Sequence, residues 1–300
     1  MTPEELLSLA RDGDLEELGE NRAAVAEAVR AFVQSGDAGS ALELVGRAWR
    51  IWFTRGELRE GSAIVATALA APDAAAFPTW QVRALTADGL MAFRADDGPR
   101  SRSRNEEALA VAQKCNDVQG ECEALTGLAR LALRDGRYDE VVALAGRGRE
   151  RAQAAGDREA EASPLHLQAA GVRLQQEYPR ARDLYTQSLT LNEALGNTPW
   201  IAMELDCLGW VELHLGDVGA AEARFRDHDA RASSSPYDDA WSNLAWAAIA
   251  VARNDAAEAE RRFTTSAAAL EELGARLDPD DQVEFDWVRE QLARLQQGSG

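Results

Sequence analysis

A step of 40 residues constrains this chain more than any other feature of its sequence. Taken from Gly56, the step lands on Asp96, Gly136, Gln176 and Gly216; taken from Gly36, it lands on Ala76, Asn116, Gly156, Gly196 and Pro236. Most of these are residue types that end helices or begin turns. The same step aligns Val45, Leu85, Leu125, Leu165 and Leu205, an apolar column without exception. The stretch from Val118 to Asp157 shows what lies between the breakers. It holds two amphipathic segments of helical period, split by Asp135-Gly136-Arg137 and closed by Gly156-Asp157. Units of this kind cannot bury their apolar faces alone and do so by stacking on one another. The chain therefore reads as an all-α array of helix pairs, and no segment alternates apolar and polar residues long enough to predict a strand.

Thr2-Pro3-Glu4-Glu5 is a helix start: Thr2 can cap free amides, Pro3 fits the first turn, and the glutamates suit the positive end of the helix dipole. One helix is expected to about Arg11 and a second from Asp14 to Gln34, together an N-terminal cap over 1–35. Repeats are expected at 36–76, 77–116, 117–156, 157–196, 197–236 and 237–277, the last with its Asn254-Asp255 breaker slightly early. Ser233-Ser234-Ser235-Pro236 reads as a longer inter-helix loop rather than a flexible joint. Asp278-Pro279 starts a closing helix over 278–297, in which Val283, Trp287 and Leu295 should cover the last repeat while charged residues face water. Gly298-Ser299-Gly300 reads as a cloning remnant and is set aside.

The formal charge of −19 excludes a general nucleic-acid surface, because phosphate binding is driven by Lys and Arg displacing counterions. Lys114 is the only lysine among 32 basic residues, a bias that reads as codon usage and not as function. Cys115, Cys122 and Cys207 form neither a CxxC pair nor an even framework and are expected as reduced thiols. No apolar run approaches the ~20 residues of a membrane span, and the N-terminal stretch is a capped helix rather than a signal peptide. The expected location is cytoplasmic.

Motifs for catalysis are missing. There is no HExxH, GxSxG or GxxxxGK[ST], and no histidine pair at ligand spacing, so neither a metal nor a cofactor is expected. Asp227-His228-Asp229 places neighbours that splay around a helix, which reads as a solvated helix end. Cys207 and His214 share a helical face with Asp206 nearby, but about two turns, ~10 Å, separate them, too far for direct proton transfer. Were the chain an enzyme, His166, Asp206 and His214 would be its weak acid–base candidates. The motifs lean against catalysis without deciding the matter.

Within the repeats, small residues stand at Ala129, Ala169 and Gly209 on first helices and at Ala181 and Ala221 on second helices, with Tyr185, Phe225 and Phe263 following the second small position. This order resembles the tetratricopeptide repeat, whose usual unit is shorter at ~34 residues. The longer unit, and the opening pattern from Trp49 to Gly61, resemble the helical-repeat sensor regions of large ATP-binding bacterial transcriptional regulators of the maltose-operon activator type. The resemblance spans roughly 36–277, and neither the phosphate loop nor the DNA-reading helix pair of those regulators is found.

The resemblance implies a right-handed α-α superhelix, a TPR-like solenoid of about six helix pairs with capping helices at both ends. It also implies a concave groove lined by five positions on each first helix. Carried over, these are Glu43, Gly46, Arg50, Phe53 and Thr54; Arg83, Thr86, Leu90, Phe93 and Arg94; and Glu123, Thr126, Arg130, Leu133 and Arg134. Ser163, His166, Ala170, Arg173 and Leu174 follow, then Met203, Asp206, Trp210, Leu213 and His214. Six arginines against three acids leave this set at +3, opposite in sign to the whole chain. Guanidinium groups pair with carboxylates and stack on rings, so the set suits an anionic or aromatic ligand. The plainer account is that these arginines are only the polar sides of amphipathic helices. Trp49, Trp52, Trp246 and Trp287 read as packing residues, whereas Trp210, in one column with Arg50 and Arg130, is expected to be exposed in the groove.

The expected function is a non-enzymatic interaction module, a sensor or adaptor, that binds an acidic peptide or protein segment or an anionic or aromatic small molecule. Its expected contacts are Arg50, Phe53, Arg83, Thr86, Phe93, Arg130, Arg134, His166, Arg173, Asp206, Trp210 and His214. The alternatives are a ligand-enclosing solenoid recruited for natural-product chemistry or antibiotic sequestration, and a self-associating scaffold.

Overall fold

The computed structural model describes residues 1–232, 235–275 and 277–298. The Ser233-Ser234 part of the expected loop and the Ser299-Gly300 part of the expected remnant lie outside them. Among the described residues there is no strand. The helices are α1 Pro3–Asp12, α2 Leu15–Glu20, α3 Arg22–Gln34, α4 Ala38–Ala48, α5 Arg50–Phe53 and α6 Leu58–Leu69. A 3-10 turn at Ala74–Ala76 precedes α7 Pro78–Arg94, α8 Gly98–Cys115, α9 Val118–Arg134, α10 Tyr138–Ala155, α11 Arg158–Leu174 and α12 Tyr178–Leu195. The last are α13 Thr198–His214, α14 Val218–Asp229, α15 Pro236–Ala252, α16 Ala256–Glu272 and α17 Pro279–Gly298. None of the described helices is long and apolar enough to cross a membrane.

Two residues do most of the work at each repeat boundary. Gly36, Gly56, Asp96, Asn116, Gly136, Gly156, Gln176, Gly196 and Gly216 all have positive φ, so the left-handed turn recurs at the 40-residue step. The next residue is often Asp: Asp37, Asp97, Asp217 and Asp255 each accept a hydrogen bond from an amide in the following first turn. Its own N–H reaches back to close the previous helix, as in Asp37 to Phe32 O at 2.8 Å and Asp97 to Ala92 O at 2.9 Å. One helix is thus stopped and the next capped within two residues, each cap contributing about 1 kcal/mol. The step fails at Ala76, which ends the 3-10 turn, and at Pro236, which opens α15. In the last repeat the left-handed residues are Asn254 and Gly274, two positions early.

The apolar column is buried throughout, from Val45 and Leu85 at 0% exposure to Leu205 at 4%. Small residues let paired helices approach: a Cβ at Gly209 of α13 would lie 2.4 Å from Cε1 of Phe225 on α14. The chain forms two compact units, unit 1 comprising Met1–Leu131 with Arg147–Pro164 and unit 2 comprising Ala132–Gly146 with Leu165–Gly300. In unit 1, α4, α6 and α7 pack on one another and α7 pairs with α8; in unit 2, α13 pairs with α14 and α15 with α16.

Three expectations need correction. The segment from Asp14 to Gln34 is two helices, because Asn21 leaves the helical region and its N–H closes α2 on Glu17 and Leu18. The first helix of the first repeat is broken at Trp49, where the Trp52 N–H bonds the Trp49 carbonyl in a tighter turn. The closing helix α17 does not turn its charged residues uniformly to water. Its buried stripe is Glu284, Val288 and Leu292, while Val283 is exposed. Residues four apart share a helix face, and the stripe begins at a glutamate rather than at a valine.

Candidate functional site

In unit 1 the first-helix residues build a patch of arginines over rings. The Arg50 guanidinium lies 4.7 Å from the Trp49 ring centroid and that of Arg94 lies 5.8 Å from Phe53. Trp49 and Phe53 meet edge to face, their centroids 5.4 Å apart. Arg50 and Arg94 are exposed and have no ion-pair partner among the described residues. An exposed guanidinium held over a ring still has N–H groups in water, where a carboxylate can meet them. The remaining expected cations here are committed. Arg83 pairs with Glu123 at 3.0 Å and Asp117 at 3.3 Å, and the Thr86 hydroxyl donates to the same Glu123. Glu43 takes both Arg11 and Arg47, and the hydrogen bond from Arg11 is the main reason its carboxyl is held below its usual range. Phe93 is half-buried on α7 and Arg130 on α9, both already engaged; Arg134, at the end of α9, belongs to unit 2 and is likewise half-buried and engaged.

In unit 2 the corresponding face is occupied by the chain's own α17. Arg173 of α11, 4% exposed, pairs with Glu284 and with Asp280, the latter at 3.5 Å. His214 of α13 places Nε2 2.8 Å from the other Glu284 oxygen. The His214 ring stacks on Tyr178 at 4.6 Å and meets Trp287 edge to face at 5.1 Å. From α15, the Tyr237 hydroxyl donates to Asp281 at 3.1 Å. Burial, with the charges of Asp280 and Asp206 adding to it, pushes the Asp281 carboxyl well above its usual range.

A second polar cluster lies in the same unit. His166 Nδ1 is 3.0 Å from Glu204 Oε1, and the Ser188 hydroxyl donates to that oxygen at 2.7 Å. The His166 ring meets Tyr185 and Trp200 edge to face. Asp206 accepts from Trp241 Nε1 at 3.1 Å, and burial raises its carboxyl above the ordinary value. Arg173 Nε, Tyr185 Oη, Glu204 Oε2, Asp206 Oδ1 and Trp210 Nε1 are buried with no hydrogen-bond partner among the described residues.

These placements correct the expected groove. Trp210 is 1% exposed and packs on Phe225 and Trp241, so it is a core residue and not a groove contact. Its column reaches the surface in the first repeat but is filled by a neighbouring aromatic in the fifth. His166, Asp206 and His214 are each hydrogen-bonded to a different residue and do not meet as an acid–base set. Burial pushes the Cys207 thiol well above its usual value, which leaves it a neutral packing group. All three cysteines are free, as expected. Among the described residues no cluster of three metal-ligating side chains occurs. Sequence reasoning missed Glu284, Asp281 and Tyr237. The available clue was that Glu284 extends the Val288–Leu292 stripe by one more turn.

No protein-family model matches the chain, and no curated protein matches it. Solved structures do. The apo form of RapI superposes with a TM-score of 0.66 at 11% identity, covering 91% of this chain and 100% of that one. A tetratricopeptide repeat protein from Parabacteroides merdae gives 0.54 at 12% identity, covering 89% and 98%. The Rap conjugation gene regulator of plasmid pLS20, in complex with the Phr* peptide, gives 0.54 at 9% identity, covering 84% and 75%. The fold is that of tetratricopeptide-repeat proteins.

Proposed function

We propose that the chain is a non-enzymatic interaction module, a sensor or adaptor, whose first-helix face in unit 1 binds an acidic peptide segment. The observation that carries this reading is the pair of exposed arginines, Arg50 and Arg94, resting on Trp49 and Phe53 without carboxylate partners. The chain has 51 acidic residues, yet among the described residues none pairs with these two cations. Paired guanidinium groups over an aromatic floor favour a segment carrying carboxylates and an aromatic or apolar side chain. A carboxylate-bearing small molecule would use the same two groups. The binding of a peptide by a structurally similar Rap protein is consistent with this reading.

A displayed library of short peptides biased toward Asp, Glu and aromatic residues supplies the probe, and anisotropy of the selected labelled peptide gives the affinity. Arg50→Glu and Arg94→Glu should each weaken it by about tenfold or more, the scale of one lost charge-assisted bond. Arg59→Glu, on the exposed side of α6, should leave it unchanged. Equal losses at all three positions would remove the patch from the reading.

A further inference from the structure

Three successive first helices of unit 2 each give one polar side chain to α17: Arg173 from α11, His214 from α13 and Tyr237 from α15. The residues of α17 that meet them are Asp280, Asp281, Glu284 and Trp287, positions that recur at helical spacing and form one face. A helix that only capped the last repeat would cover α15 and α16. This one reaches back to a residue 111 positions earlier in the chain.

The contact has the chemistry of a recognition site more than of a core. Three α17 carboxylates and the buried Asp206 crowd one arginine and one histidine. Arg173 Nε and Asp206 Oδ1 have no hydrogen-bond partner among the described residues. A buried ion pair returns little net stability once both charges are desolvated, so such a contact fixes which helix docks more than how firmly it docks. Any helix presenting the same carboxylates and the same aromatic would replace α17 with little change in electrostatics. A tethered helix competes at an effective concentration on the order of millimolar, which holds back a weak competitor and yields to a good one.

We propose that the face of unit 2 covered by α17 is a docking site for an acidic amphipathic helix of a partner protein, and that α17 is its tethered competitor. The partner helix carries a glutamate for Arg173 and His214 and an aromatic residue three positions later. This rests on the reading above that the module binds acidic segments, but it uses different residues and is tested separately.

The probe is a fluorescein-labelled peptide of the α17 sequence, residues 279–297, titrated into the full chain. In wild type the site is filled and binding should be weak. Glu284→Gln in the protein should speed hydrogen exchange through Pro279–Leu292 and tighten peptide binding at least tenfold, because the apparent affinity rises with the fraction of open sites. Adding Arg173→Gln to that variant should abolish the gain, as should a peptide with glutamine in place of its glutamate. If Glu284→Gln lowers the melting transition of the whole chain, Asp280→Asn at the edge of the contact serves instead. Faster exchange in α17 with no gain in peptide binding would overturn the proposal. So would equal binding with and without Arg173, or released α17 helices that fill the face only in a dimer of this chain. If the α17 peptide fails while acidic peptides still depend on Arg50 and Arg94, the unit 1 reading stands and this one does not.

Discussion

The same helical position plays opposite parts in the two units. In unit 1 Arg94 lies over the Phe53 ring and meets water; in unit 2 His214, at the same place three steps on, is held by Glu284 under a helix of the same chain. The Arg50 column divides likewise: Arg50 is exposed over half-buried Trp49, and Trp210, four steps on, is enclosed by Phe225 and Trp241. Equal places in a repeat therefore do not have equal environments. What lies over the face decides whether a residue binds, packs or pairs.

The sharpest separation should come from the tryptophans. Trp210→Ala should destabilise unit 2 by about 4 kcal/mol, the cost of a large cavity in a packed core. Trp49→Ala should cost about 1 kcal/mol or less and mainly weaken peptide capture. Thermal melts of the two variants, read beside anisotropy, check this; equal destabilisation would erase the contrast. Next in size, Glu284→Ala should cost about 3 kcal/mol by leaving buried Arg173 with only the longer contact to Asp280, and Arg173→Gln added to Glu284→Ala should recover part of that loss. Arg50→Ala in unit 1 breaks no ion pair and should change the melt by no more than about 0.5 kcal/mol.

A pH rise through neutrality should act on unit 2 and spare unit 1. In unit 2, burial raises Asp206 and Asp281, so their folded forms hold protons more tightly than the unfolded chain does. Their contribution is largest at low pH and is lost as pH climbs from about 4 through the folded values. For His228, burial works downward, but the hydrogen bond to Asp229 and the charges of Asp206, Asp229 and Asp238 outweigh it, and the net shift is upward. That contribution, too, is complete below the ordinary histidine value and fades as pH rises past the folded one. Glu43 in unit 1 is held low, so its contribution is present above about pH 4.5 and fades only on strong acidification. Hydrogen exchange corrected for intrinsic rates should thus show unit 2 helices opening more readily at about pH 8 than at about pH 5.5, with unit 1 unchanged across that window. The same loss in both units would contradict this assignment.

The smallest effect concerns the turn itself. Gly56 in unit 1 and Gln176 in unit 2 sit at the same step, both left-handed, with Gln176 at φ 63°. Gln176→Gly should gain about 1 kcal/mol, and Gly56→Gln should lose a similar amount, because a Cβ is strained at positive φ and glycine is not. Chemical denaturation of the two variants measures both.

The helices, their turns and the apolar column were legible before any coordinates, since each is set within one or two helical turns. A left-handed residue followed by a capping aspartate, as in Gly36-Asp37 or Asp96-Asp97, carries its own instruction. The breaks at Asn21 and Trp49 were not legible, because both positions lie inside helical patterns that tolerate them. Arg50 and Arg173 look alike in sequence, each a polar position on an amphipathic first helix. Their difference comes from residues far along the chain.

The 40-residue step by itself determined that this protein is a stack of helix pairs, because periodic apolar residues and turn-forming pairs act locally and repeat identically. Only the tertiary structure decided which first-helix faces remain open. The docking of α17 joins Glu284 to Arg173 across 111 positions, and a contact between such distant residues leaves no periodic trace in either segment.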